Sequence, residues 1–244
     1  GEDGQQKPER DHMRPRVQRG EFARHKPVKP ARRELRVDLH QEPYVHYESL
    51  PPYYLAMSQH NDAELVIVTP RLELHHIGSA DLITLFEDPM NLSIYLGKPF
   101  SNPHRVLMDD SGPLRWRVPQ VKADAAVNKW FVRWMVEKSS REIVGSISFH
   151  GPPDEQGMME IGLGIHADFQ RLGFATEALT GMWSWVIDQP GVKTLRYTVA
   201  PDNVASVALV EKFGFVCVGQ QIDPEDGPEG IYEMSADEFR RRFS

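Results

Sequence analysis

The spacing of hydrophobic residues changes part-way through the second half of the chain. Ile161, Leu163 and Ile165 recur at every second position with glycines between them, and this alternation predicts a β-strand over residues 155–165. After the next polar turn the apolar residues recur at steps of three and four, which predicts an amphipathic helix from about Phe174 onwards. The chain therefore passes from strand to helix through a short turn.

Similar patterns predict the other regular elements. Short apolar or alternating runs predict strands over residues 65–68, 72–75, 128–137, 142–149, 195–199, 215–218 and 231–234. Helices are predicted from Ser79 and from Asn203, where Asn203 suits the N-cap and Gly214 suits the position after the last turn. Four prolines within residues 97–125 predict no long regular element there, only a short helix near residues 122–126.

The turn between the predicted strand and helix runs from Gln170 to Ala175 and has the form Gln-x-x-Gly-x-Ala. The first amides of a helix lack intrahelical partners and carry a partial positive charge. Gly173 and Ala175 keep the side chains small, so a phosphate can approach these amides. The turn lacks the Gly-Lys-Ser/Thr of a P-loop and the three glycines of a dinucleotide fingerprint. It suits either a plain strand–helix connection or, as we favour, a diphosphate site.

Three motifs give the chain a resemblance to a known family. The turn resembles the acetyl-CoA loop of the GNAT N-acetyltransferase superfamily, Gln/Arg-x-x-Gly-x-Gly/Ala. The block from Asn203 to Phe215, Asn-x-x-Ser-x-x-Leu-x-x-x-x-Gly-Phe, resembles a second GNAT block and follows the first in the family's order. Residues 69–74, Thr-Pro-Arg-Leu-x-Leu, are similar to the first strand of RimJ/RimL-type members. The resemblance covers residues 65–236.

The resemblance implies the α/β (α+β) fold of the acyl-CoA N-acyltransferases, a mixed, mostly antiparallel sheet flanked by helices. Its central strands, 155–165 and 195–199, would lie parallel and splay apart at a small bulge, and acetyl-CoA would bind in the splay. By this likeness the cofactor-binding residues are Ile165, Ala167, Gln170, Arg171, Leu172, Gly173, Phe174, Ala175, Thr176, Asn203 and Phe213. Asn203 also suits plain N-capping, and Phe213 equally suits the core.

The same resemblance nominates two catalytic residues. Glu160 stands where RimJ/RimL-type members have the Glu of Glu-Ile-Gly-Tyr, and we expect it to take a proton from the attacking amine, directly or through water. Ser206 is expected to protonate the departing thiolate, because Val210 occupies the position at which many GNAT members have a tyrosine. The alternatives are an exposed edge carboxylate for Glu160, and for Ser206 local helix hydrogen bonds that leave water as the acid.

Composition divides the chain into three parts. Residues 1–40 carry 11 basic and 7 acidic residues among few apolar ones, which predicts a basic polar arm or linker. Residues 41–63 contain four of the seven tyrosines together with prolines, which predicts a segment that docks on the domain or on a second copy. Residues 64–244 are predicted to form the GNAT acetyltransferase domain.

Composition also bounds the partners. The net charge of -7 argues against nucleic acid as a partner of the whole chain, and the acidic balance of residues 41–244 mildly favours a cationic acceptor. No apolar run is long enough to cross a bilayer. The single cysteine excludes an intrachain disulfide, which favours a cytoplasmic, intracellular setting. The expected partners are acetyl-CoA and an amine acceptor, without a metal or a membrane, and a homodimer is left open.

The sequence thus predicts an acyltransferase that moves the acetyl group of acetyl-CoA to a primary amine of a protein or small molecule. The amine would attack directly within a ternary complex. The alternative is a non-catalytic acyl-CoA-binding or scaffolding module with the same fold. Binding of nucleic acid through the basic arm is a third, separate hypothesis.

Overall fold

The computed structural model describes residues 66–224 and 227–243. The predicted basic arm, residues 1–40, and the predicted docking segment, residues 41–63, lie outside the described residues. All the elements named below belong to the predicted domain, residues 64–244.

The strands of the described residues form one sheet. They are β1 (Ile67–Val68), β2 (Leu72–His76), β3 (Arg133–Glu137), β4 (Glu142–Phe149), β5 (Met158–Ile165), β6 (Thr194–Val199), β7 (Val216–Asp223) and β8 (Gly227–Ser235). Their order across the sheet is β1-β2-β3-β4-β5-β6-β8-β7, and only β5 and β6 run parallel to each other. This is the mixed, mostly antiparallel sheet that the resemblance implies.

Five α-helices accompany the sheet in the same residues. They are α1 (Ser79–Glu87), α2 (Leu114–Ala123), α3 (Phe174–Val186), α4 (Val204–Phe213) and α5 (Ala236–Phe243). Short 3₁₀ turns occupy Leu92–Tyr95, Ala125–Trp130 and Ala167–Phe169. None of the helices in residues 66–224 and 227–243 is long and apolar enough to span a membrane.

The core is clearest around Trp183 of α3. Its ring lies edge-on to Phe213 at 4.8 Å and stacks with Phe215 at 4.7 Å, and Phe239 of α5 meets it at 5.8 Å. Burial of one such phenylalanine contributes about 1.5–3 kcal/mol. This cluster therefore fixes α3, α4 and α5 to one another.

The parallel pair β5–β6 is short. Its register pairs Met158 with Thr194, Met159 with Leu195 and Glu160 with Arg196, and there the pairing ends although β5 continues to Ile165. The predicted splay is therefore present. No register shift interrupts these three pairs, and the small bulge that the resemblance implies at the splay stays a prediction.

β3 begins at Arg133, five residues later than the sequence pattern predicts. The preceding residues form the 3₁₀ turn Ala125–Trp130 instead. Asp124 caps this turn, because its Oδ1 accepts a hydrogen bond from the backbone N–H of Ala126 at 2.9 Å. A local side-chain cap thus overrides the strand propensity of the aromatic residues that follow.

The prediction of no long element over residues 97–125 is wrong for its last part. α2 continues through Pro119, which removes one backbone hydrogen bond from the helix. Leu114, Val118 and Val121 recur at steps of four and three on its buried face. The burial of this face offsets the lost hydrogen bond.

Candidate active site

Glu160 lies at the last pair of the β5–β6 ladder, where the strands begin to separate. Its side chain is 17% exposed, and Oε1 accepts a hydrogen bond from the Thr198 hydroxyl at 2.6 Å and lies 3.3 Å from Nδ1 of His150. Burial raises the pKa of Glu160, but the hydrogen bonds and charges of His150, Thr198 and Arg196 outweigh it, so the pKa lies below its ordinary value. Glu160 is therefore a shielded carboxylate that is charged at neutral pH.

The turn after β5 presents backbone amides without partners. Arg171 has a φ of 61° and Gly173 a φ of 85°, and Gly173 is the N-cap of α3. No side chain caps this helix, and within the described part of the chain no hydrogen bond starts from the amides of residues 171–176. A helix start with bare amides and a glycine in the left-handed region is an arrangement that binds phosphate.

Arg71, from the turn between β1 and β2, contacts the residues around Gly173. Its Nη1 donates to the carbonyl of Leu172 at 2.8 Å, and its guanidinium lies 4.7 Å from the centroid of the Phe174 ring. Its Nε donates to Glu177 Oε2 at 2.7 Å, and Glu177 Oε1 also accepts from the Thr69 hydroxyl at 2.6 Å. This polar clasp of Thr69, Arg71 and Glu177 fixes the start of α3 and places a positive charge beside the bare amides.

Glu177→Gln should lower the free energy of unfolding by about 1–3 kcal/mol at neutral pH, because the clasp loses its charged acceptor. Burial raises the pKa of Glu177, but hydrogen bonds from Thr69 and Arg71 outweigh burial and leave the pKa below 4.5. Such a carboxyl stabilises the fold fully above pH 4.5, and its contribution is lost as the pH falls through the folded-state pKa. Urea unfolding of the wild-type protein and of Glu177→Gln should therefore give free energies that differ most at neutral pH and become equal in acid.

The matched control for the clasp is Glu87→Gln, which breaks an ion pair with Lys122 whose two side chains are both about half exposed. This change should alter the free energy of unfolding by about 0.5 kcal/mol or less. A Glu177→Gln effect no larger than the control, or one that stays constant in acid, would contradict the clasp.

A smaller pocket of about 390 Å³ lies between the separated strands and the start of α4. Asn203 caps α4, since its Oδ1 accepts a hydrogen bond from the Ser206 N–H at 3.1 Å. Ser206 lines the pocket beside Tyr197, a buried residue of β6. Burial raises the pKa of Tyr197, and the neighbouring Ser206 hydroxyl opposes that shift. The capping role of Asn203 is thus present, and Ser206 has a hydroxyl neighbour that the sequence did not point to.

A larger cavity, of about 1440 Å³, lies on the side of Glu160. β4 and α2 contribute polar side chains to it, and the β7–β8 hairpin contributes an acidic wall. Among its lining residues are Ser146, Ser148, His150, Arg117, Glu160 and Glu229. Gly162 and Gly164 of β5 add no side chains to the floor, and a Cβ at Gly164 would meet nothing within 4 Å. The cavity is large enough for an acceptor that reaches Glu160.

Two histidines stand at one end of this cavity. The ring centroids of His104 and His166 lie 4.8 Å apart, and Phe169 meets His104 edge-on at 4.8 Å. Ligand atoms of His104, His166 and Asp168 lie within 4.8 Å of one another, and this residue set could hold a divalent metal ion. However, His104 Nε2 already lies 3.1 Å from Glu142 Oε2. Together with Phe169, the two histidines pack at the edge of the cavity.

Ile165 and Ala167, two of the other expected cofactor residues, lie just before the turn that contains Gly173, whereas Phe213 does not. Ile165 ends β5, and its carbonyl accepts a hydrogen bond from Gln170 Nε2 at 3.1 Å, which ties the turn to the strand. Ala167 begins the 3₁₀ turn that follows. Phe213 instead lies buried against Trp183, which is the core role noted as its alternative. The contact of each with acetyl-CoA stays a prediction.

Comparison with known proteins decides the family. A family model described as the acetyltransferase (GNAT) domain matches residues 71–216, which is more than half of the chain. This chain belongs to the GNAT acetyltransferase family. Membership confirms the predicted family and the α+β fold, and the family is the group of acetyl-CoA-dependent acyltransferases that the sequence predicts.

Individual GNAT proteins match to different extents. The chain is 33% identical to the uncharacterised N-acetyltransferase YoaA of Bacillus subtilis (strain 168) over 155 residues, which cover 62% of this chain and 82% of that protein. It is 36% identical to the uncharacterised N-acetyltransferase YjdG of the same organism over 89 residues, 36% of this chain and about half (53%) of that protein. A solved acetyltransferase (GNAT family) from Bacillus anthracis is similar at 19% identity with a TM-score of 0.49, covering 71% of this chain and all of that one (100%).

Within the GNAT domain, the structure adds residues that sequence reasoning missed. His150, which directly follows β4, and Thr198 of β6 both contact Glu160, and Arg117 of α2 lies in the same cavity. The alternation of Ser146 and Ser148 on β4 with His150 directly after it is the signal that could have shown a polar face. The sequence spacing within each segment does not indicate that the end of β4, β6 and α2 come together in the folded protein.

Proposed function

We propose that this protein is an N-acetyltransferase that transfers the acetyl group of acetyl-CoA to a primary amine of a protein or small molecule. One observation carries the proposal: the β5–β6 ladder ends at Glu160, so the opened strands and the large cavity meet at this carboxylate. Acetyl-CoA entering from the turn and an amine entering from the cavity would then face each other across Glu160. Direct attack in a ternary complex needs this juxtaposition.

Backbone amides that lack hydrogen-bond partners indicate which residues would bind acetyl-CoA. The amides of residues 171–176, the partial positive charge of α3 and the guanidinium of Arg71 suit the diphosphate. The edge of β5 beyond Glu160 has no strand partner on the β6 side, so Ile165 and Ala167 can bind the pantetheine amides. Asn203 keeps its amide nitrogen for the same substrate, since only Oδ1 is used in the cap.

The proton path would begin at Glu160 and His150. An amine attacks the thioester carbon only when it is unprotonated, so its extra proton must leave before or during attack. A carboxylate whose pKa is lowered accepts a proton weakly, but it orients His150, whose Nδ1 it approaches at 3.3 Å. The amine proton would therefore pass to His150, which Glu160 orients, or to a water molecule that Glu160 holds.

After attack, the carbon–sulfur bond breaks and the sulfur leaves as a thiolate. Ser206 lines the pocket between the separated strands, beside the hydroxyl of Tyr197. The proton that the thiolate takes would thus come from Ser206. Amides on the free edge of β5 would donate to the oxyanion.

The test is an amine panel assayed by release of the coenzyme A thiol. We expect turnover of at least one class among peptides with free N-termini, lysine derivatives, polyamines and amino acids. The non-catalytic alternative predicts heat of acetyl-CoA binding by calorimetry but no thiol release above the uncatalysed rate. Absence of both binding and release would remove the proposal altogether.

A further inference from the structure

Arg117 is a buried charge whose partners are all neutral. It lies on the inner face of α2, it is 6% exposed, and it lines the large cavity. Its Nη1 donates to the carbonyl of His150 at 2.5 Å and to Gln120 Oε1 at 3.0 Å. Its Nε is buried without a hydrogen-bond partner, and its guanidinium lies 5.5 Å from the Phe131 ring centroid. Two of its three nitrogens thus make no hydrogen bond to the described residues.

A buried guanidinium ordinarily has a carboxylate partner. Burial of an unpaired charge is costly, and arginine in particular is placed where its planar fork can bind a carboxylate or a phosphate. Within residues 66–224 and 227–243, no carboxylate oxygen lies within 4.0 Å of the Arg117 nitrogens. Burial lowers the pKa of Arg117 to about 10, and the charge of Glu160 opposes this. Arg117 is therefore still charged at neutral pH but incompletely paired.

Another arginine of the same cavity shows the contrast. Arg105 also lines the cavity, but its Nε donates to both carboxylate oxygens of Asp109, at 2.7 and 2.8 Å. The charge of Arg105 is thus neutralised within the fold. Arg117 alone of this pair has capacity left for a ligand.

The position of Arg117 relative to the reacting centre limits the ligand. His150 contacts both groups, because its carbonyl accepts from Arg117 and its Nδ1 lies 3.3 Å from Glu160. A group bound to Arg117 therefore lies beside the residue that contacts Glu160. An acceptor that occupies both places has its amine and its anion only a few bonds apart.

We propose that Arg117 binds an anionic group of the acceptor, so that the substrate class is an amine carrying a carboxylate or a phosphate close to its nitrogen. The inference rests on the proposed function and sharpens it, from any primary amine to a zwitterionic one. The anion would supply the charged partner that this guanidinium lacks within the described residues. It would also orient the amine toward Glu160.

The experiment compares acceptors that differ only in the anion. An amino acid is paired with its amide, and an aminoalkyl phosphate with the amino alcohol, in the thiol-release assay at saturating acetyl-CoA. We expect kcat/KM to favour an anionic member by roughly 10- to 100-fold, as charge-assisted hydrogen bonds do. The two pairs distinguish carboxylate from phosphate. Turnover without such a preference would overturn this inference and leave the proposed function standing.

Variants then assign the preference to Arg117. Arg117→Gln should abolish the preference while the KM for acetyl-CoA stays unchanged, and Arg117→Lys should keep part of it. Arg105→Gln is the matched control, because it removes a cavity arginine that is already paired, and it should leave the preference intact. A preference that survives in Arg117→Gln would contradict the assignment.

Two further measurements keep the test decisive. If Arg117→Gln fails to fold, as thermal melting would show, the wild-type comparison and Arg117→Lys still decide the question. If no amine is turned over, calorimetry of each acceptor pair with the coenzyme A complex replaces the rate, and equal affinities for both members would count against Arg117. In this way the failure of transfer and the failure of anion binding give different results.

Discussion

Glu160→Gln is expected to lower kcat by about 10²- to 10³-fold while the Kd for acetyl-CoA changes less than about twofold. The amide keeps the size of the side chain and can still accept a hydrogen bond from Thr198, but it cannot hold the charge that orients His150. The loss should therefore appear in the chemical step and not in binding. Pre-steady-state thiol release and calorimetry with acetyl-CoA separate the two quantities.

The matched control is Glu142→Gln on the neighbouring strand β4. Glu142 makes the same type of contact, with Oε2 at 3.1 Å from His104 Nε2, but it does not lie at the opening of β5 and β6. Its replacement should leave kcat within about threefold. Unchanged turnover in Glu160→Gln would remove this carboxylate from the mechanism, and His150→Gln would then show whether the imidazole acts alone.

Gly173→Val is expected to raise the Kd for acetyl-CoA by about 30-fold or more, a free-energy change of about 2 kcal/mol. Gly173 has a φ of 85°, which costs a residue with a side chain about 1–2 kcal/mol, and a Cβ there would lie 3.3 Å from Arg71 Nη2. A branched side chain would also cover the amides at the start of α3. Calorimetry with acetyl-CoA and with S-acetyl-pantetheine, which lacks the diphosphate, should show the loss only for the former.

Gly191→Val is the control for the strain itself. Gly191 has a φ of 86° in the turn between α3 and β6, and a Cβ there would meet nothing within 4 Å. Both variants should therefore lose a similar free energy of unfolding, about 1–2 kcal/mol, but only Gly173→Val should lose affinity. Equal affinities for acetyl-CoA in the two variants would show that the turn does not bind the diphosphate.

Local patterns predicted the parts of the fold in which neighbours along the chain decide the structure. Asn203 at the cap of α4 and Gly214 after its last turn are found as predicted, because a cap depends on residues three or four positions away. The start of β3 and the course of α2 through Pro119 were predicted wrongly. In the first case a local cap by Asp124 competes with the strand, and in the second a face that is buried on another element outweighs the missing hydrogen bond.

The candidate site divides in the same way. The bare turn around Gly173 could be read from the sequence, since its chemistry is that of the backbone. The role of Arg117 could not be predicted from the sequence, because an arginine among prolines gives no sign that its side chain will be buried without a carboxylate partner. The acidic balance of residues 41–244 even favoured a cationic acceptor, whereas the cavity that Glu160 lines also holds the positive charge of Arg117. A property averaged over the whole chain does not describe the field at one point inside it.

The exposed Cys217 on β7 has a practical consequence for these experiments. It is the only cysteine of the 244 residues, so thiol-reactive dyes will label one position and will add one equivalent of colour to any assay that counts coenzyme A. β7 pairs with β8, whose Glu229 lines the cavity, so a fluorophore at Cys217 would sit on the hairpin that borders the cavity. A change in its emission during titration would provide an optical signal of acceptor binding that does not depend on turnover.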